Sequence, residues 1–123
     1  MDDRYAKGRE LARKMFDGAP PSARLPRPFV ETTMGELFGG LWQGEDLSLQ
    51  QRSLITCAAI VALNRTSEQR LHFVAARNLG LSRKTVEGMI AHLAYYAGWP
   101  CAVSAFGVLE EVWPEAPQSE TGS

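Results

Sequence analysis

Residues 48–63 read SLQQRSLITCAAIVAL. Ser48 followed by Gln51 has the pattern of a capping box, in which each side chain satisfies the other's free backbone N–H at a helix start. From Leu54 to Leu63 there is almost no polar interruption, so the helix is apolar nearly all round. That pattern predicts a central, fully buried helix. Thr66 and Gln69 repeat the box just downstream, and Gly80 has the place of a C-cap. Ser82 can cap a further helix ending near Gly98, and Pro100 suits the first turn of one running to about Trp113.

Upstream the signals are coarser. Tyr5, Leu11, Met15 and Phe16 outline a first amphipathic helix. Pro20, Pro21, Pro26 and Pro28 bracket a connector over residues 17–28. Phe29, Val30, Met34, Leu37, Phe38 and Leu41 suggest a second helix ending near Gly39-Gly40. Val, Ile and Thr nowhere alternate over a strand length. The expectation is a single all-α domain of five to six helices over residues 1–113, with 114–123 a frayed tail.

The composition fits a globular chain: 123 residues, 45% apolar and 22% charged. The formal net charge of −1 argues against a nucleic-acid binder that relies on bulk charge. Charge is nevertheless uneven, with seven bases and four acids in residues 1–28 but five acids and no base in 85–123. The two ends can pair across subunits or remain solvated surface. Cys57 and Cys101 are too far apart for a CxxC or zinc-finger spacing and read as small buried hydrophobes of a reducing compartment. Met1-Asp2-Asp3-Arg4 has no apolar signal core behind it, and no segment is long enough to span a bilayer, so a cytoplasmic protein without a membrane partner is expected. Phe38, Trp42, Trp99 and Phe106 are read as exposed aromatics. Together with the all-apolar helix they predict self-association.

Three residues are candidates for chemistry. Arg65, Glu68 and His72 fall within about 60° of one another on a helix. Glu68 can hold the His72 imidazole and raise its pKa toward neutrality, making it a proton donor; the alternative is a surface ion pair with a boundary histidine. Arg52 sits in the first turn of the most apolar helix, where the dipole disfavours a cation, so it calls for an anion from either the protein or a ligand. His92, with Tyr96 one turn on, can line an apolar pocket or be a satisfied core histidine. Two histidines without clustered acids are no metal motif, and there is neither a phosphate loop nor a nucleophile elbow.

These residues lie in an ordered set. It comprises Gly39 with Leu41-Trp42, Leu47-Ser48, Arg52 through Thr56, Asn64-Arg65 through Glu68 to Leu71-His72, then Ala76, Asn78, Gly80, Glu87 and His92, and finally Tyr96 through Pro100. In this respect the chain resembles the carboxymuconolactone decarboxylase family, the cofactor-free branch of the alkylhydroperoxidase-like all-α superfamily. The likeness covers about residues 4–113. It implies a homotrimer or homohexamer with its site near a subunit interface. It also implies the loss of CO2 from γ-carboxymuconolactone, as in the β-ketoadipate route of aromatic catabolism. Arg52 would stabilise the dienolate and His72, with Glu68, would protonate it; His92, Tyr96, Arg65 and Trp42 would contact the substrate. No cofactor or metal is implied, because the substrate is its own electron sink. Peroxidase-type relatives carry a CxxC whose positions are Arg65 and Glu68 here. The decarboxylases commonly have an acid two residues before the tryptophan, where this chain has Gly40. A site enlarged there would suit an isomerase or cyclase acting on a small lactone or keto acid, and a non-catalytic ligand-binding oligomer is the third reading.

Overall fold

The computed structural model describes residues 3–21 and 23–116. Within them the chain forms six α-helices and no strand: α1 (Asp3–Met15), α2 (Arg27–Thr32), α3 (Leu49–Ala62), α4 (Thr66–Asn78), α5 (Arg83–Tyr96) and α6 (Trp99–Val112). This is the all-α single domain expected. Of the proposed tail, residues 114–116 carry no regular structure and 117–123 lie outside the described residues. No helix among the described residues is long and apolar enough to cross a membrane.

The local stop and start signals explain most boundaries. Ser48 and Gln51 make the reciprocal capping box, and Ser82 accepts from the Thr85 N–H. Gly80 takes φ 98°, and Leu81 N–H reaches back to Ala76 O, closing α4 as a Schellman turn. Asn64, at φ 57°, ends α3 in the same way, with Arg65 N–H on Ile60 O. The second box does not form. The cap of α4 is Arg65 without a side-chain bond, because Gln69 is drawn into the core, where its Nε2 donates to Ile60 O.

The second helix is composite. α2 starts at Arg27, inside the expected connector, because Pro28 is tolerated in a first turn. It widens into a π-helical turn over Thr33–Phe38. There Thr32 and Thr33 direct their hydroxyls at the Pro28 and Phe29 carbonyls and compete with the regular ladder. A short 3₁₀ turn, Leu41–Gln43, follows. α1 crosses this segment backbone to backbone: a Cβ on Gly8 would collide with Met34 O, and one on Gly39 with Arg4 O. Only glycine allows that approach, and it tucks Phe38 and Trp42 beneath α1.

Two apolar clusters result. One joins α3, α4, α5 and α6 through Cys57, Val61, Phe73, Ile90, Ala105 and Leu109. The other joins α1 and the π-turn to α4 through Leu11, Met15, Phe38, Trp42, Ala75 and Leu79. α4 belongs to both, with Phe73 through Ala76 all buried, so it is the central helix. α3 is not. It buries Arg52, Ser53, Cys57 and Val61, while Ile55 and the C-cap residue Leu63 are 54% and 69% exposed. The surface aromatics divide likewise: Phe38 and Trp42 are covered within the chain, whereas Trp99 and Phe106 are exposed with Tyr95 and Tyr96. Cys101 is half-buried rather than a core residue.

The acidic C-terminal end finds partners inside the chain. Arg83 bonds the Trp113 carbonyl, Glu87 and Glu110, and Arg70 pairs with Glu111. This clamps the end of α6 against α4 and α5.

Candidate functional site

α3 and α4 run antiparallel. Gln50 Nε2 donates to Leu79 O, the Cys57 thiol to His72 O, and Gln69 Nε2 to Ile60 O. Along this helix pair, four buried side-chain atoms have no hydrogen-bond partner: Arg52 Nε, Ser53 Oγ, Gln69 Oε1 and His72 Nδ1. An unpaired buried polar atom costs about 1–3 kcal/mol. Each such atom calls for a reason, a catalytic role or a bound polar group among them.

Arg52 is the charged member. It is 7% exposed, its carbonyl receives the Thr56 hydroxyl, and its Nη2 donates to Asp46 Oδ1 at 2.6 Å. The anion that sequence reasoning required for Arg52 is therefore present within the chain. Asp46 lies on the loop before α3, six residues away and in no helical register with it, so no periodicity announces the pair.

His72 lies one turn beyond Glu68 on α4, half-buried, with the Phe16 ring edge-on at 5.5 Å. Phe16 in turn meets Phe38 at 5.8 Å, and Phe38 meets Trp42 at 5.8 Å, so a row of rings runs from His72 to the loop that carries Asp46. Asn78 fixes the near end of this row, its Nδ2 donating to Met15 O and Asp17 O on either side of Phe16. Phe16, Asn78 and Asp46 are the positioning residues that the sequence did not single out for a role. Phe16 and Asn78 act across the fold and Asp46 from the loop six residues before Arg52, and only Asn78 stood in the recognised set.

Burial pushes the His72 pKa below its ordinary value of 6.5, and Glu68 opposes that only in part. The expected rise toward neutrality is thus reversed, since desolvation outweighs the carboxylate. Glu68 is occupied elsewhere: its Oε1 accepts from Arg65 Nη2 at 2.7 Å. Both belong to an outer rim. Glu68 also faces a cleft of about 480 Å³ walled by Pro20, Pro21, Leu25 and Leu71.

The remaining predicted contacts lie apart. Trp42 is 6% exposed and serves as a wall. His92 and Tyr96 stack at 4.7 Å on the exposed face of α5, beside the Tyr95–Trp99 pair, and not in an apolar pocket of this chain. Gly40 opens no extra room, because a Cβ there would stand 2.5 Å from Glu36 O. Burial pushes the Cys57 thiol up to about 12 against a smaller pull from Ser53, so it is an inert core group. Among the described residues, no three His, Cys, Asp or Glu side chains gather as a metal site.

α3 thus carries a buried guanidinium with one unpartnered donor, and α4 a half-buried imidazole with one unpartnered ring nitrogen. A guanidinium suits an anion and an imidazole a proton transfer. Residues 28–111 match the model of the carboxymuconolactone decarboxylase family. The chain is 35% identical over 78 residues to the 4-carboxymuconolactone decarboxylase of Acinetobacter baylyi, covering 63% of this chain and 58% of that protein. It is 29% identical over 104 residues to the nitrosuccinic acid decarboxylase npaB of Metarhizium robertsii, covering 85% and 71%. The match thus spans less than two thirds of the first relative.

Proposed function

The chain belongs to the carboxymuconolactone decarboxylase family, and on that premise we propose that it is a cofactor-free carboxy-lyase acting on a small acid of the 4-carboxymuconolactone type. The observation that supports this reading is the pair of buried, unpartnered atoms Arg52 Nε and His72 Nδ1 on two antiparallel helices. 4-Carboxymuconolactone, the γ-carboxymuconolactone of the namesake reaction, loses CO2 to leave a dienolate spread into the lactone carbonyl. Nitrosuccinic acid likewise has a nitro group that can hold the electrons left behind. Either anion needs a fixed positive charge, and then a proton on carbon.

Arg52 supplies the charge, more strongly in a buried site than in water. His72 supplies the proton. Its depressed pKa leaves it neutral at rest, and the arriving carboxylate raises its proton affinity, so one proton enters with the substrate. Bond cleavage then releases CO2, and the imidazolium passes that proton to a carbon of the delocalised anion, which for the lactone is the ring carbon next to its carbonyl and leaves the enol-lactone. Glu68 favours the charged imidazole through space while Arg65 holds Glu68 in place.

We further propose a cytoplasmic homo-oligomer, trimer or hexamer. The apolar side chains Ile55, Leu63, Tyr95, Tyr96, Trp99 and Phe106 are all more than a third exposed on the single chain. His92 and Tyr96 would meet substrate only as contributions to a neighbour's site.

The test is to incubate the purified protein with 4-carboxymuconolactone, and in parallel with nitrosuccinate, and to measure CO2 released per mole of acid consumed, with and without a chelator. The reading expects one CO2 per acid for at least one of them, unaffected by chelator. No release from either acid, or release abolished by the chelator, would refute it.

A further inference from the structure

Arg52 and Asp46 form an unequal pair. The arginine side chain is 8% exposed and the aspartate 75%. The side-on fork of a guanidinium is made by its Nε–H and Nη2–H, which together match the two oxygens of a carboxylate. Here Asp46 Oδ1 takes the Nη2 half at 2.6 Å, while the Nε half is buried without a partner. The internal contact thus uses half of what the fork can offer.

Gly44 lies directly on this pair. A Cβ built there would stand 2.8 Å from Asp46 Oδ1 and 2.9 Å from Arg52 Nη2. Any side chain at Gly44 itself would collide with both groups. The buried cation cannot be left alone without a large desolvation cost, whereas Asp46, already in water, loses little by turning away.

We propose that Asp46 is an exchangeable counter-ion. It neutralises Arg52 while the site is empty, and a small carboxylate binds by replacing it and taking both donors of the fork. The inference rests on the reading that Arg52 receives the carboxylate of the substrate, and it makes Asp46 a positioning residue that sets the threshold for anion entry. An anion that makes one bond to Arg52 gains nothing over Asp46; one that makes two displaces it. Selection for a planar carboxylate follows without a tight pocket.

Succinate is a suitable probe, measured by calorimetric titration and by its effect on the melting temperature. Asp46→Asn keeps the shape and removes the charge, and Asp46→Ala removes both. Freeing Arg52 from a competitor that holds it most of the time should tighten succinate binding about five- to tenfold. Succinate should then raise the melting temperature of either variant more than that of the parent, an outcome still readable if the variants are less stable. Arg52→Lys placed on Asp46→Asn should erase the gain, since an ammonium has no fork. The proposal is overturned if neither variant binds succinate more tightly than the parent, including the case in which none binds. Destabilisation without a gain in affinity would make Asp46 a tether of the loop only. A gain through Arg52 in a protein that decarboxylates neither acid would leave the exchange standing and refute the decarboxylase reading. Decarboxylation without a gain would do the opposite.

Discussion

Mild acid should destabilise this protein through His72. Its Nδ1 is buried without a partner and its ring is packed on Phe16, so protonation places a cation in a desolvated site that Glu68 compensates only in part. The folded pKa lies below the ordinary 6.5, which the unfolded chain retains. Between the two values the unfolded chain binds a proton that the folded chain does not, so stability rises with pH across that window. The contribution is complete above pH 6.5 and is lost as pH falls from there toward the folded pKa. The slope for one proton is at most about 1.4 kcal/mol per pH unit, or roughly 4 °C per kcal/mol in melting temperature for a domain of this size. Urea midpoints of the parent and His72→Gln, taken from pH 7.5 to 5.5, measure it. Gln also loses the edge-on contact with Phe16, worth about 0.5–1.5 kcal/mol, which lowers the whole curve without changing its slope. The parent should lose stability more steeply than the variant. Parallel curves would mean that His72 titrates alike in both states, and the argument from burial would fail.

Arg83→Ala removes the bonds to Trp113 O, Glu87 and Glu110. Because the two carboxylates are largely hydrated already, urea denaturation should show a loss of only about 1–2 kcal/mol. Cys57, with its thiol pushed up to about 12, should resist iodoacetamide in the native protein at pH 8 and react once urea unfolds the chain; mass spectrometry of the labelled peptides checks this. Sedimentation velocity at micromolar concentration should show no stable monomer, and Trp99→Glu, on the exposed aromatic face, should shift the distribution toward one.

What could be read from the sequence was local. The Ser48–Gln51 box, the Ser82 cap and the Gly80 stop each span a few residues, and each forms as the pattern predicts. Thr66–Gln69 has the same pattern and fails because Gln69 has a better partner, Ile60 O, on another helix. The apolar run of α3 misleads for a related reason. Ile55 and Val61 look alike in a sequence, yet one is 54% exposed and the other fully buried, because neighbours decide burial. The central role of α4 depends on packing against α1 on one side and α6 on the other. The site divides along the same line. Arg52, Glu68 and His72 could be singled out from type and spacing, but Asp46 on Arg52, Phe16 on His72 and Asn78 on Met15 and Asp17 are contacts that no helical spacing encodes. The direction of the His72 shift was missed because Glu68 at one-turn spacing is visible in the sequence and desolvation is not.

The central claim is that His72 delivers the proton that quenches the anion left by loss of CO2. The most direct measurement is kcat for 4-carboxymuconolactone with the parent and His72→Gln, each preparation checked for folding by its melting temperature. The account predicts turnover by the parent and a fall of about 10²–10⁴ in kcat for a folded variant, the usual contribution of a positioned acid. A folded His72→Gln that turns over within a few-fold of the parent would contradict it.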